Sequence, residues 1–246
     1  MDPLKYMAAA VIESYDKATE VVTVQNSYFA YRTINVKIRG ILDRCKATKY
    51  ECYLTKIGDK TNLRNEIYDL YKKNRTKTRK PVCLQEMHDY IEHKHKAHVS
   101  EGEEADDAIT IRQYELNSLG FDKKNINSVI VSIDKDFNNV PGWHYNPNKD
   151  TFKYINELNA KKNFYLQILT GDSADNVPRL KNRWLKATAE EAIRLASSEK
   201  EVSEIVLKEV MKVKETSEQE ARKYIEMIGR LVWLRTKKDE MWRFEL

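Results

Sequence analysis

Short apolar, β-branched runs separated by helical segments are the feature that most limits how this 246-residue chain can fold. These runs predict strands, with EVVTVQNSYF at 20–29 as a buried first strand, YECYLTKIGD at 50–59 as the second and SVIVSIDKDF at 128–137 as the clearest third. The segment EEADDAITIRQYELNSLG, which precedes the clearest run, has helical spacing and ends at Gly120. Strands that alternate with helices predict an α/β fold with a mostly parallel central sheet flanked by helices.

The pattern becomes helical from about residue 154 onward. Separate helices are predicted in TFKYINELNAKKNFYLQIL, ATAEEAIRLASS, VSEIVLKEVMKV and ARKYIEMIGRLVWL. Ser217 is followed three positions later by Glu220, which is the spacing of a capping box at a helix start. We therefore expect a helical C-terminal portion.

Composition and apolar patterning exclude several classes of protein. No apolar stretch approaches the roughly 20 residues that a bilayer span requires, so we expect no membrane association. The first residues combine acids with a short apolar stretch and show no clear cleavage site, so we expect no signal peptide. Three cysteines without a CxxC pair fit reduced thiols, and the sequence predicts a cytoplasmic protein, in the host cytoplasm if a phage encodes it.

The positive charge is concentrated in one segment, NLRNEIYDLYKKNRTKTRK at 62–80. It holds seven Lys or Arg against two acids, so its net charge equals the +5 of the whole chain. Tyrosines set among cations suit a phosphate backbone and a stacked base. A solvated helix followed by a basic loop is the alternative interpretation.

Carboxylates recur at the predicted ends of the strands and helices. Acids that converge repel one another unless cations neutralise them. Oxygen ligands without thiolate or imidazole favour Mg²⁺ or Mn²⁺, and a pair of such ions is a device for phosphodiester hydrolysis. The predicted ligands are Asp59, Glu104, Asp106, Asp107, Asp134, Asp136, Asp172 and Asp175.

Each of these acids also has a structural interpretation. The acids of EEADDA would complement the positive end of a helix dipole, and those of SIDKDF and GDSADN would be turn and capping residues. Four acidic groups at four element ends favour the metal interpretation. The histidines of HDYIEHKHKAH lack cysteine partners, so we expect a solvated helix end there instead of a zinc site.

The motifs GDKTNLRNEIYDLYKKNR, EEADDA, SIDKDF and TGDSADNVP, in this order, resemble the 5′-nuclease superfamily. That superfamily includes bacteriophage 5′→3′ exonucleases, flap endonucleases and the 5′-nuclease domain of bacterial DNA polymerase I. The resemblance implies a PIN-like α/β nuclease core over 1–165 that includes a helical arch at about 62–100. It also implies a helical DNA-binding portion over 166–246 with a degenerate helix-hairpin-helix, packed with the core as one unit.

The resemblance also assigns roles to single residues. Two Mg²⁺ ions, with Mn²⁺ as a substitute, would bind to the acids, the first to Asp59, Glu104 and Asp106 with Asp107 beside them, and the second to Asp134, Asp136, Asp172 and Asp175. The expected catalytic residues are Lys72, which would contact the scissile phosphate, and Arg75, which would stabilise developing charge. The expected DNA-binding residues are Arg64, Tyr71, Lys73, Lys77, Arg79, Arg179, Lys181, Arg183 and Lys186.

The resemblance implies a metal-dependent 5′→3′ exonuclease or flap endonuclease in phage replication, recombination or primer removal. Its partners would be DNA with 5′ ends, nicks or flaps, with RNA–DNA hybrids as a further candidate. Two departures keep alternatives open: Gln25 stands where the family has an aspartate ligand, and RLKNRWLKATAEEAI contains no glycine. The alternatives are an impaired nuclease that binds branched or 5′-ended DNA, and a PIN-like ribonuclease.

Overall fold

The computed structural model describes residues 2–58, 61–77, 79–180 and 185–245, without the side chains of residues 2, 76, 77 and 185–189. The chain divides into two compact units. Unit 1 comprises Met1–Asn62 and Thr78–Ala108, and unit 2 comprises Leu63–Lys77 and Ile109–Leu246. Each unit therefore combines segments that are distant in sequence.

Unit 1 contains the N-terminal helices and two small sheets. Its elements are α1 (Asp2–Val11), β1 (Glu13–Tyr15), β2 (Val22–Val24), α2 (Tyr28–Cys45), β3 (Tyr53–Thr55), α4 (Leu84–His95), β4 (His98–Ser100) and the start of α5 (Ala105–Leu116), with α3 (Leu63–Ile67) belonging to unit 2. Helices α1, α2 and α4 pack with strand β3 around a common core, whose buried residues include Ile12, Ile34, Leu54, Met87 and Ile91. Strand β3 pairs in parallel with β4.

The first predicted strand differs from the structure in length and burial. Of residues 20–29, only Val22–Val24 is a strand, and it pairs antiparallel with Glu13–Tyr15 in a hairpin that is largely exposed. The Asp16 carboxylate accepts a hydrogen bond from the Ala18 N–H at 2.8 Å, which stabilises the turn between the two strands. The β-branched residues here form an extended segment, but its pairing partner is local, so the predicted burial is wrong.

Unit 2 contains a three-stranded sheet and a helical bundle. Its strands are β5 (Val129–Val131), β6 (Gly142–Asn146) and β7 (Thr151–Ile155), and its later helices are α6 (Glu157–Thr170), α7 (Leu185–Leu195), α8 (Glu199–Lys214) and α9 (Glu218–Val232). Strand β6 lies between β5, to which it is parallel, and β7, to which it is antiparallel. Two short 3₁₀ helices, Lys73–Lys77 and Lys135–Asn139, complete the unit.

The start of the helical region is later than predicted. Residues 151–155 form strand β7 instead of the first turns of a helix, because they pair in register with all five residues of β6. Helix α6 begins after Asn156, whose side chain accepts a hydrogen bond from the Asn159 N–H at 2.8 Å. The predicted cap at Ser217 is confirmed, since its hydroxyl accepts from the Glu220 N–H at 3.3 Å.

The α/β class is confirmed, and the parallel pairs β3·β4 and β5·β6 are its characteristic element. The strands of the described residues lie in three small sheets of two, two and three strands. No helix formed by those residues is long and apolar enough to span a lipid bilayer.

The bundle of unit 2 packs around Trp242, which follows the last helix. Its ring contacts Phe164 of α6 edge-on, with centroids 5.0 Å apart, and lies directly over Gly229 of α9. A Cβ at Gly229 would stand 2.1 Å from the Trp242 ring. A side chain at this position is therefore excluded by packing.

We expect Gly229→Ala to lower the free energy of unfolding by about 2 kcal/mol, because the added methyl must displace a buried ring. Gly40, in α2, is the matched control, because a Cβ there meets nothing within 4 Å. Gly40→Ala should raise the stability by up to about 1 kcal/mol through helix propensity. Urea denaturation of both variants measures the effects, and equal stabilities would contradict the packing of Trp242 on α9.

Candidate metal and nucleic-acid site

The segment GDSADNVP, which follows α6, folds into a tight loop that we call the acid loop (residues 171–177). Asp172 and Val177 exchange two backbone hydrogen bonds, of 3.2 and 2.7 Å, that close it. Gly171 has φ 61°, and a Cβ there would lie 2.6 Å from the carbonyl oxygens of Val177 and Pro178. The glycine is therefore required, and the loop buries both Asp172 and Asp175.

The acids of SIDKDF lie where β5 ends. The Asp134 carboxylate caps the following 3₁₀ helix by accepting from the Asp136 N–H at 2.9 Å. The Asp136 carboxylate in turn accepts from Gln167 Nε2, on α6, at 2.9 Å. A strand end and a neighbouring helix thus fix both carboxylates.

Asp134, Asp136 and Asp172 are close enough to affect one another electrostatically. Burial, together with the negative charges of Asp134 and Asp172, raises the pKa of Asp136 to about 6. Burial also opposes ionisation of Asp172, but hydrogen bonds from the Lys135 ammonium and the Ala174 N–H outweigh it and hold the pKa of Asp172 below its ordinary value. The negative charges of these three carboxylates therefore oppose one another, and Lys135 partly offsets them.

Lys135 is a residue of this site that the sequence analysis did not identify. Its Nζ lies 2.9 Å from Asp172 Oδ2, and this hydrogen bond and the surrounding acids raise the pKa of Lys135. The signal in the sequence was its position between two acids in SIDKDF.

The basic segment lies against the acid loop. The Lys72 N–H donates to the Asp175 carbonyl at 2.9 Å, and Asn74 Nδ2 donates to the Ser173 carbonyl at 2.8 Å. In the opposite direction, Asn176 Nδ2 donates to the Leu70 carbonyl at 2.8 Å. Three backbone carbonyls therefore join residues 70–74 to the acid loop within unit 2.

Asp175 is the point at which acids and cations meet. Lys72 Nζ lies 3.5 Å from Asp175 Oδ2, and the Arg75 guanidinium forms a second ion pair with the same carboxylate. The Tyr71 hydroxyl also donates to Asp175 Oδ2, at 3.4 Å. Both predicted catalytic cations are thus held at a predicted metal ligand.

Glu104, Asp106 and Asp107 lie at the start of α5, in unit 1. The Ala105 N–H donates to Thr55 Oγ1 at 3.1 Å, which ties this helix start to strand β3. Glu104 Oε1 accepts from Asn62 Nδ2 at 2.9 Å, and Asp107 is fully buried. Asp59 lies outside the described residues, so its role as a ligand stays a prediction.

Two of the predicted DNA-binding residues are buried and make contacts within unit 2. Arg64 is buried, and its guanidinium donates to the Leu231 carbonyl at 3.0 Å and the Trp233 carbonyl at 2.6 Å, where α9 ends. Tyr71 is buried in the helical core of unit 2. The DNA-binding roles of both residues stay predictions, and the local basic pattern did not reveal the long-range packing of either side chain.

The remaining predicted DNA-binding residues have varied surroundings. Arg79 pairs with Glu13 and lies over the Tyr15 ring, 4.3 Å from its centroid, and Lys73 lies 3.6 Å from Asp69. Arg179 is exposed. The side chains of Lys77 and Lys186 are not described, and Lys181 and Arg183 lie outside the described residues.

Two histidines of the segment HDYIEHKHKAH make hydrogen bonds to other side chains. His88 is buried beside Lys5, and His95 bonds to Tyr50 and to Asn35. Over the described ranges, no group of three or more His, Cys, Asp or Glu side chains is arranged to hold a metal ion. The ligand sets implied by the resemblance therefore stay predictions.

The acids of unit 2 nevertheless suit a hard divalent cation in their chemistry. Asp134, Asp136 and Asp172 offer only oxygen donors, which Mg²⁺ and Mn²⁺ prefer. The raised pKa of Asp136, caused by burial and by its acidic neighbours, indicates a place where added positive charge is favourable. Lys135 supplies one such charge in this arrangement.

Comparisons with known proteins identify the fold. No protein-family model and no curated protein sequence matches the chain. A structure of the bacteriophage T5 flap endonuclease crystallised with metal ions is similar, with a TM-score of 0.51 and 14% identity, over 82% of this chain and 88% of that chain. A second structure of that endonuclease, a pseudo-enzyme–product complex with DNA and metal ions, has a TM-score of 0.50 and 14% identity, over 81% and 90%. The chain has the 5′-nuclease fold, as its motifs predicted.

We expect Asp136→Asn to stabilise the metal-free protein at neutral pH. The folded-state pKa of Asp136, about 6, lies above its unfolded value of 3.8, so wild-type stability falls as pH rises between these values. The amide removes that loss and keeps an oxygen that can accept from Gln167. The free energy of unfolding should therefore rise by about 3 kcal/mol above pH 6, at roughly 1.4 kcal/mol per unit of pKa shift. Urea denaturation in chelator across this pH range measures it, and a gain that stayed constant down to about pH 4 would contradict the assignment.

Proposed function

We propose that this protein is a divalent-metal-dependent 5′→3′ exonuclease or flap endonuclease that hydrolyses phosphodiester bonds at or near DNA 5′ ends. The observation that carries the proposal is the pairing of Lys72 and Arg75 with Asp175, in the same unit as Asp134, Asp136 and Asp172. Metal-dependent phosphodiester hydrolysis uses acids that hold metal and cations that stabilise charge on the phosphate. The acids and cations of unit 2 support this proposal, because Lys72, Arg75 and Asp175 lie together.

The acids would hold two ions as the resemblance implies. Asp134, Asp136, Asp172 and Asp175 would bind one, and Asp59, Glu104 and Asp106, with Asp107 beside them, the other. When bound, Mg²⁺ or Mn²⁺ activates water and stabilises charge on the phosphate.

The cations of the basic segment have a separate role. Lys72 and Arg75 bring positive charge to the acid loop, where they would hold the phosphate and stabilise the charge that develops during bond cleavage. Asp175 positions both side chains. Hydrogen bonds to the backbone carbonyls of Leu70, Ser173 and Asp175 hold the segment that carries them. The preorganised arrangement would limit the reorganisation needed when substrate binds.

The substrate proposal rests on the fold and on charge. The similar phage T5 flap endonuclease was crystallised with DNA and metal ions, which supports DNA as the partner here. We propose DNA with 5′ ends, nicks or flaps, and RNA primers annealed to DNA, as substrates in phage replication, recombination or primer removal. The host cytoplasm is the proposed location.

A second candidate is a nuclease-fold protein that binds such DNA without cutting it. Gln25, where the family has an aspartate ligand, offers no negative charge, and it lies exposed with its N–H bonded to the Ile12 carbonyl at 2.8 Å. Loss of one anion would weaken a metal site. Metal dependence of binding and of cleavage separates the two candidates.

We expect wild-type protein to cleave 5′-labelled flap or blunt duplex DNA in Mg²⁺ or Mn²⁺ and to lose this activity in chelator. Lys72→Ala should lower kcat by about 10²–10³-fold, because charge stabilisation at the phosphate is lost. Asp172→Ala should abolish cleavage by removing a metal ligand.

Lys153→Ala is the matched control, since Lys153 Nζ bonds to the Asn138 amide oxygen at 3.2 Å. It should leave turnover unchanged. DNA binding without cleavage of any 5′-ended substrate would overturn the proposal in favour of the binding protein. Cleavage of RNA without need of a 5′ end would instead favour a PIN-like ribonuclease.

We expect Gln25→Asp to raise cleavage most at limiting Mg²⁺, by roughly tenfold, because a restored anion strengthens cation binding. Gln25→Asn, which stays neutral, is the control and should match wild type. Initial rates over a Mg²⁺ titration measure the effect. Identical titrations for all three chains would exclude Gln25 from the metal site.

A further inference from the structure

Lys135 reaches from solvent to a buried carboxylate. Its side chain is 67% exposed, whereas that of Asp172 is 4% exposed, and the two atoms Nζ and Oδ2 lie 2.9 Å apart. A carboxylate buried to this degree is stable as an anion only with an opposite charge or several donors beside it. Lys135 provides the opposite charge.

The neighbouring acids are held differently. Asp134 accepts the backbone N–H of Asp136, and Asp136 accepts the neutral amide of Gln167. A neutral donor does not cancel the charge of a carboxylate. Among these three acids, the described ion pair is that of Asp172, whose partner Lys135 belongs to the 3₁₀ helix that follows β5.

We infer that Lys135 is a competing counter-ion that sets the affinity of this site for divalent metal. It pairs with Asp172 in the metal-free protein and leaves when the metal binds. The inference rests on the proposed function, because it takes Asp172 as a metal ligand. The exchange breaks no covalent bond: the ammonium keeps its protons and moves to solvent, and a double positive charge replaces a single one.

The position of Lys135 permits this exchange. It is the first residue of the 3₁₀ helix Lys135–Asn139, and its long side chain is mostly in solvent. A lysine ammonium on a flexible stem can leave a carboxylate without moving the backbone. Binding of metal must then compensate for the lost ion pair, so affinity is lower than the carboxylates alone would give.

The test is Lys135→Met, which keeps most of the unbranched side chain and removes its charge. Isothermal titration of chelator-treated protein with Mg²⁺ or Mn²⁺, without DNA, should show a dissociation constant about five- to tenfold lower than wild type. Lys135→Arg retains the competing charge, so its affinity should stay within about twofold of wild type.

Lys153→Met is the control for net charge, because Lys153 pairs with an amide, and it should bind metal like wild type. Circular dichroism checks that each variant is folded. Equal affinities for wild type and Lys135→Met would overturn the inference and leave the proposed function intact. If neither wild type nor Lys135→Met bound Mg²⁺ or Mn²⁺, the inference and the proposed function would both be overturned. If Lys135→Met bound metal and wild type did not, the inference would be supported and an active wild-type enzyme would be contradicted.

Discussion

The buried carboxylate of Asp175 is the constraint on which the candidate site depends. An ionised acid that is 8% exposed requires positive partners, and here Lys72 and Arg75 supply them from a segment about a hundred residues away in sequence. The pairing acts together with the burial of Arg64 and Tyr71 to hold Leu63–Lys77 in unit 2, although the residues on either side of this segment belong to unit 1. The ion pairs place the positive charges of Lys72 and Arg75 beside the acid loop.

The sequence predicted those parts of the fold that depend on local patterns. Val129–Val131 was recognised because a short β-branched run is typical of a buried parallel strand, and the Ser217 cap because its spacing is specific. Strand Thr151–Ile155 was missed because it continues directly into an amphipathic helix, and only its pairing with β6 distinguishes it. The hairpin strand Val22–Val24 was given the wrong surroundings because apolar residues alone do not identify the partner strand.

The same limit applies to the site. Acids at element ends were identified from their positions, but the contacts of Arg64 with carbonyls near Trp233 join residues far apart in sequence and have no local signature. Lys135 was overlooked because a lysine between two aspartates resembles an ordinary charged turn. The role of Lys135 becomes visible only in the folded structure, where its Nζ lies 2.9 Å from Oδ2 of Asp172 in another loop.

The packing of Trp242 has a consequence for synthesis on the ribosome. Trp242 and Phe244 belong to the same hydrophobic core as Phe164 and Ile168 of α6, the helix that leads into the acid loop. A growing chain lacks these two aromatic rings until residues 242–244 have left the ribosome, so unit 2 cannot complete its core before then. The residues of unit 1, which end at Ala108, have no such delay. The nascent protein would therefore acquire the acid loop in its final form only after Phe244, about seventy residues further along the chain, has emerged.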